Sequence, residues 1–285
     1  MKRPKFNFRF VAGFSAGIIL LIYGVATLMF IPSSVPRTVP GELISINQDD
    51  SSSGVPNPPA KAREEDSVSF SSTPDVAGHP FFVGETITYT IKSLKISVGK
   101  ATLTFKGEEE INGRAVYCIV FRATGPNFLD VEEIFADREG LYPVMVRRNL
   151  NIWGKKEQIT EEYDHRQGLV KITKHVGDKT EEQTIKKSGV LDNIYCFIYR
   201  YRHSGNFKLG DSLALNLPTQ DIKISLNKRM KLKAAGKEYD SYYMMSDPAK
   251  YKVWFDSGDQ KIPLRISGSV GLKNTDMVMT DYKAM

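Results

Sequence analysis

From Phe81 to the end of the chain, residues alternate between apolar and polar with a period of two. Ile87, Tyr89 and Ile91 are interleaved with Thr86, Thr88 and Thr90, and Ala101, Leu103 and Phe105 with Thr102, Thr104 and Lys106. Successive strand side chains point to opposite faces, so this spacing predicts antiparallel strands with one buried face. Leu94, Ile96 and Val98 alternate in the same way and are expected to bury. Asn112-Gly113 predicts a tight hairpin turn, because both central positions of a type I′ turn need positive φ. It would join Thr102–Lys106 to Ala115–Ala123, a stretch apolar on both faces and therefore expected to be central.

Further strands are predicted at Val131–Ala136, Tyr142–Trp153, Glu157–Tyr163, Leu169–His175 and Thr180–Lys187. After an interruption they resume at Ser212–Leu217, Lys223–Asn227, Arg229–Lys233, Glu238–Met245, Lys250–Phe255, Ile262–Leu272 and Asp276–Tyr282. The interruption reads as a helix: Ile194, Phe197, Ile198 and Tyr201 fall at i, i+3, i+4 and i+7, with Asp192 as the expected N-cap. The fold class is therefore mostly β, a curved antiparallel sheet or barrel-like fold with one amphipathic helix.

The preceding 80 residues divide into three. Residues 1–10 carry Lys2, Arg3, Lys5 and Arg9; residues 11–31 are uncharged. A helix over the latter would be about 31 Å long, enough to cross a bilayer, and the flanking cations predict a cytoplasmic N-terminus. A cleaved signal peptide is the competing reading, but it normally has a shorter apolar region and a small-residue cleavage site, which Leu28-Met29-Phe30-Ile31-Pro32 does not offer. Residues 32–80 hold eight of the fourteen prolines and few apolar groups, so a disordered linker is expected, spanning roughly 38 Å as a flexible coil. Residues 81–285 form the β domain. This predicts a single-pass inner-membrane protein with its folded part in the periplasm.

A set of short segments in a fixed order resembles a known family. It begins with Pro80-Phe81-Phe82-Val83-Gly84-Glu85 and Tyr89, followed by Val98-Gly99-Lys100-Ala101, Asp137, Gly140-Leu141-Tyr142-Pro143 and Glu162-Tyr163-Asp164. Asp192, Tyr195, Tyr199-Arg200, Leu209-Gly210-Asp211, Val253-Trp254-Phe255 and Ile262-Pro263-Leu264-Arg265 complete it. Over about residues 80–282 the chain resembles the exported bacterial family known as domain of unknown function 3108. That resemblance implies a Gram-negative envelope protein on a curved antiparallel sheet, with no catalytic residues to carry over. Many members enter by a cleavable signal, whereas this chain has a long apolar segment and a long linker.

The formal charge of +6 is spread along the chain, without the dense basic patch of a nucleic-acid binder, so no nucleic acid is expected as a partner. The four histidines lack paired metal-ligand spacing, and no metal or cofactor is expected. Ser267-Gly268-Ser269-Val270-Gly271 lacks the Gly-x-Ser-x-Gly order of a nucleophile elbow. Acids cluster at Glu108–Glu110, at Asp130 with Glu132 and Glu133, and at Glu161, Glu162 and Asp164; two converging carboxylates would suit glycoside cleavage. Tyr239, Tyr243, Met245, Met277 and Met279 are candidates to line a concavity for a lipid-like ligand, with core filling as the alternative. Cys118 and Cys196 would close a loop of about 78 residues if paired, or stand as two buried thiols. The expected function is a non-catalytic, membrane-tethered module that binds a hydrophobic ligand or an envelope partner. The alternative is a hydrolase of an envelope polymer acting through paired carboxylates.

Overall fold

A computed structural model of the chain describes residues 81–268 and 275–284. The expected anchor at 11–31 and linker at 32–80 lie outside these residues, as does the rest of the Ser267–Gly271 motif beyond Gly268. Eight strands come first: β1 (Thr86–Ser93), β2 (Ile96–Ile111), β3 (Arg114–Gly125), β4 (Phe128–Ala136), β5 (Pro143–Ile152), β6 (Lys155–Asp164), β7 (Leu169–Val176) and β8 (Lys179–Lys186). Helix α1 (Ile194–Ser204) follows. Then come β9 (Ser212–Leu217), β10 (Gln220–Ala234), β11 (Lys237–Asp247), β12 (Lys252–Asp256), β13 (Pro263–Ser267) and β14 (Thr275–Lys283).

All fourteen strands form one antiparallel sheet in the order β8 to β1, then β14 to β9. Each half is a meander, and β1 against β14 joins the two. Among the described residues the sheet is not closed by a strand ladder, and β8 and β9 are its two edges. The chain that follows β8 draws them together instead. Lys187 Nζ donates to the Leu217 carbonyl at 2.8 Å, Asn216 Nδ2 to the Ser188 carbonyl at 2.8 Å, and the Asp192 amide to the Asn216 carbonyl at 2.8 Å.

Alternation puts Ile87, Tyr89, Ile91, Leu103 and Phe105 on the inward face, each no more than 1 % exposed. β3 is buried on both faces, as its sequence predicts: Tyr117, Ile119, Phe121 and Ala123 join the main core, while Val116 and Cys118 pack outward with Phe135 and Met145. The Asn112-Gly113 turn has φ of 52° and 76°. The other tight turns are less legible. Leu94 and Lys95 take φ of 49° and 71° without glycine or asparagine, so Leu94 and Ile96 are exposed at a hairpin tip instead of buried. The segments expected at Lys223–Asn227 and Arg229–Lys233 are one strand, β10, whose register shifts between Leu226 and Lys228.

Helix α1 differs from expectation in two ways. Its N-cap is Asn193, whose side chain accepts the Tyr195 amide at 2.8 Å, while Asp192 is paired with Arg200. It is also buried nearly all round: Tyr195, Cys196 and Tyr199 are as enclosed as Phe197 and Ile198, and Ile194 is only half-buried. Aromatic contacts explain this. Tyr195 stacks on Phe121 at 4.7 Å, Tyr199 meets Phe81 edge-on at 4.9 Å, and Tyr201 lies 4.7 Å from Phe207. Arg202 forks onto Glu85 at 2.6 and 2.8 Å with both side chains fully buried, and the Tyr282 hydroxyl donates to the same carboxylate at 3.0 Å. A buried charge pair of this kind holds only where its remaining lone pairs and protons are satisfied. Here it pins the helix to the first residues of the domain.

Candidate functional site

Two of the three acidic clusters meet on the inward face. On β4, Asp130 and Glu132 share the face of Ile134 and Ala136, which belong to the main core. Arg148 on β5 pairs with Glu132 in the ladder, and its guanidinium serves both acids. Nε donates to Asp130 at 2.8 Å, Nη2 to the other oxygen of Asp130 at 2.6 Å, and Nε lies 3.2 Å from Glu132. Glu161 on β6 joins from the next strand and accepts the Tyr163 hydroxyl at 2.5 Å. Further along the same strand, Glu157 is held by Lys155 at 3.1 Å and Lys174 at 2.9 Å.

The electrostatics follow from this crowding. Burial pushes the Glu132 carboxyl up to about 7; Arg148 opposes the shift and Asp130 adds to it. Burial also raises Glu161, against the pull of the Tyr163 hydroxyl and Arg148. Arg148 itself is depressed by burial but raised further by Asp130 and Glu132, so it stays charged. The result is one guanidinium among three carboxyls, one of which takes up its proton near neutral pH. The third cluster stays apart: Glu108 and Glu109 are engaged at the surface by Arg138 and Lys106, each at 3.0 Å.

A second arrangement lies at the seam between the sheet edges. A cavity of about 420 Å³ is lined by Tyr142, Ser188, Gly189, Val190, Asp192, Arg200, Ala214, Leu215, Asn216 and Asp221. Arg200 stacks over the Tyr142 ring at 4.2 Å and pairs with Asp192. Lys187 pairs with Asp221 at 2.6 Å. The Asn216 side-chain oxygen is buried without a hydrogen-bond partner. Sequence reasoning missed this site because its residues come from β9, β10, α1 and two connections: the family segments contain Tyr142, Asp192 and Arg200, but no local pattern joins them to Ser188, Ala214 or Asn216.

The five residues nominated for a hydrophobic concavity are not brought together. Met277 and Met279 are 1 % exposed within the main core, and Tyr239 packs against the edge of that core. Tyr243 and Met245 lie on the other face of β11, where Tyr243 packs on Trp254 at 4.8 Å and its hydroxyl approaches the Met245 sulfur at 3.3 Å. Cys118 and Cys196 are both free and buried, in two different clusters. Burial pushes the Cys118 thiol up to about 12 and also raises Cys196, so neither is poised as a thiolate. Among the described residues no group of three or more His, Cys, Asp or Glu has metal-binding geometry, and no helix is long and apolar enough to cross a membrane.

The model of the protein family of unknown function DUF3108 matches residues 86–279, which is the body of the sheet from β1 to β14. The chain belongs to this family. No curated protein matches it. Among solved structures, a β-barrel-like protein of the family DUF1849 from Brucella abortus is similar at 9 % identity and a TM-score of 0.43, covering 72 % of this chain and 99 % of that one. A Bacteroides fragilis protein with a YmcC-like fold is similar at 8 % identity and a TM-score of 0.23, covering 72 % and 98 %.

Proposed function

We propose that this DUF3108 protein is a membrane-tethered periplasmic module that binds an envelope partner or amphipathic ligand at the seam cleft and carries out no catalysis. One observation carries the reading. The inward face is filled by the aromatics of α1, whereas the seam holds a cavity of about 420 Å³ whose lining mixes Val190, Leu215 and Tyr142 with Arg200, Asn216 and Ser188. Ligand sites are typically concave, with a few placed polar groups among apolar walls. The length and charge flanks of residues 11–31 support the tether and its orientation.

Native mass spectrometry of the full-length chain in detergent, followed by extraction of anything that co-purifies, tests the binding role. Val190→Glu should reduce what is retained, and equal retention by the variant argues against the cleft. An alkaline phosphatase fusion after Met285 tests the topology, and an inactive fusion refutes it.

A hydrolase remains the second reading because Glu132, pushed up to about 7 beside Asp130, has the form of an acid and its carboxylate partner. Against it, Asp130 is locked in a two-point fork by Arg148, which a substrate would have to displace. Digestion of peptidoglycan by the wild type that is lost in Glu132→Gln would establish this reading; no digestion by either removes it.

A further inference from the structure

The two sheet edges are chemically unlike. β8 (Lys-Thr-Glu-Glu-Gln-Thr-Ile-Lys) carries four charges in eight residues, the usual protection of an exposed edge against pairing with another chain. β9 (Ser-Leu-Ala-Leu-Asn-Leu) carries none. The Asn216 carbonyl points away from β10, because it accepts the Asp192 amide. Backbone groups alternate in direction along an antiparallel strand, so the amides and carbonyls of Ser212 and Ala214 also point outward. Ala214 and Ser212 are exposed, and Ala214 lines the seam cavity. Among the described residues the Asp192–Asn216 bond is thus a single rung of main-chain pairing on the outer edge of β9. Val190 in the connection before α1, Leu209 in the connection before β9 and Leu213 on β9 add three large apolar side chains at 42 %, 52 % and 42 % exposure. The ions of the cleft are already paired, Arg200 with Asp192 and Lys187 with Asp221.

Resting on the seam cleft as the binding site, we infer that β9 accepts an additional strand: a short, uncharged, extended peptide segment of an envelope protein, pairing through the outward groups of Ser212 and Ala214. In such strand addition the main chain supplies affinity and alternate side chains supply selectivity. The segment's apolar side chains meet Leu213, Val190 and Leu209. An uncharged segment fits because every charge in the cleft has its counterion within the chain.

The test uses the full-length chain in detergent and a dye-labelled, capped peptide of sequence Thr-Val-Thr-Ile-Thr-Val, followed by fluorescence anisotropy. Binding should be saturable and at least tenfold weaker in Ala214→Pro, which removes an outward donor without touching the β10 ladder. Thr184→Pro, the matching change on the β8 edge, should bind as the wild type does. If proline at 214 disturbs folding, hydrogen exchange of Ser212–Asn216 in the wild type decides: the peptide should slow it. Equal binding by Ala214→Pro, or unchanged exchange, overturns strand addition. If Val190→Glu weakens binding while Ala214→Pro does not, the cleft survives and strand addition falls; if neither matters, both fall. Two further outcomes overturn the assignment of a foreign segment. One is a dimer in native mass spectra that Ala214→Pro dissolves. The other is faster exchange at Ser212–Asn216, without peptide, on deleting residues 42–46, the alternating apolar run Glu42-Leu43-Ile44-Ser45-Ile46 within the expected linker.

Discussion

Strands β4–β7 and strands β9–β14 belong to one sheet, yet their inward faces are opposites. The second group turns Leu215, Ile222, Ile224, Leu226, Met244, Val253, Phe255, Leu264, Ile266, Met277 and Met279 inward, all of them buried. The first turns in Asp130, Glu132, Arg148, Glu157, Glu161 and Lys174 beside its apolar residues. The difference shows that this sheet is held in two ways. One half gains roughly 25 cal/mol for each Å² of apolar surface removed from water. The other must satisfy every charge that it encloses, and its ion pairs contribute little net stability while being costly to break.

The joint between the halves is where breakage costs most. Arg202→Ala leaves the fully buried Glu85 with the Tyr282 hydroxyl as its one remaining side-chain donor among the described residues and empties the space between α1 and β1. A loss of about 3–5 kcal/mol is expected, read as a large drop in Tm. A drop no greater than that of an exposed control such as Lys231→Ala would show that the pair is dispensable.

Within the apolar half, Phe255→Ala should cost about 3–5 kcal/mol. Phe255 is fully buried against Tyr201 and Phe207. Phe197→Ala belongs to the same class. Both losses should be nearly independent of pH, since no titrating group gains or loses a partner. A denaturant series at two pH values checks this, and a strong pH dependence would contradict an apolar mechanism.

Arg148→Ala should cost less, about 2–3 kcal/mol after allowing for solvent at a side chain that is 27 % exposed. Its cost should shrink as Glu132 takes up a proton. Arg200→Ala is expected to behave similarly. Arg200 falls outside the apolar stripe of Ile194, Phe197, Ile198 and Tyr201, which by itself would leave it on a free face, but the structure stacks it on Tyr142 and against the buried Asp192, so its removal strands a carboxylate. Wild-type melting in Arg200→Ala would restore the sequence expectation.

The fold was legible because alternation is a local signal, and wherever the inward face is apolar the strands fall close to where the sequence puts them. The errors came from turns and from polarity. Leu94 and Lys95 form a tight turn without the residues that normally announce one, so an apolar pattern was mistaken for a buried face. The same rule applied to Asp130 and Glu132 would have sent them to solvent, although Ile134 and Ala136, two and four residues beyond Glu132, fix them inward. What no pattern could supply is the seam, because Ala214, Asn216, Arg200 and Tyr142 are brought together only when the two edges meet.

Glu132→Gln should leave Tm close to that of the wild type at acid pH and have the clearest effect on its pH dependence. The folded protein raises the Glu132 carboxyl from 4.5 to about 7, so the folded state binds a proton that the unfolded state releases earlier. Stability from this group is therefore fully present below pH 4.5 and is lost as pH rises to about 7, by an amount on the order of 3 kcal/mol. Glutamine keeps the shape and removes the titration. The variant should match the wild type near pH 4.5, exceed it above pH 7, and flatten the slope between. The comparison isolates the charged half because the two proteins differ only at position 132, on β4. Parallel curves for the two proteins would mean that Glu161, not Glu132, takes up the proton. A variant less stable at every pH would mean that Glu132 serves Arg148 mainly as a charge.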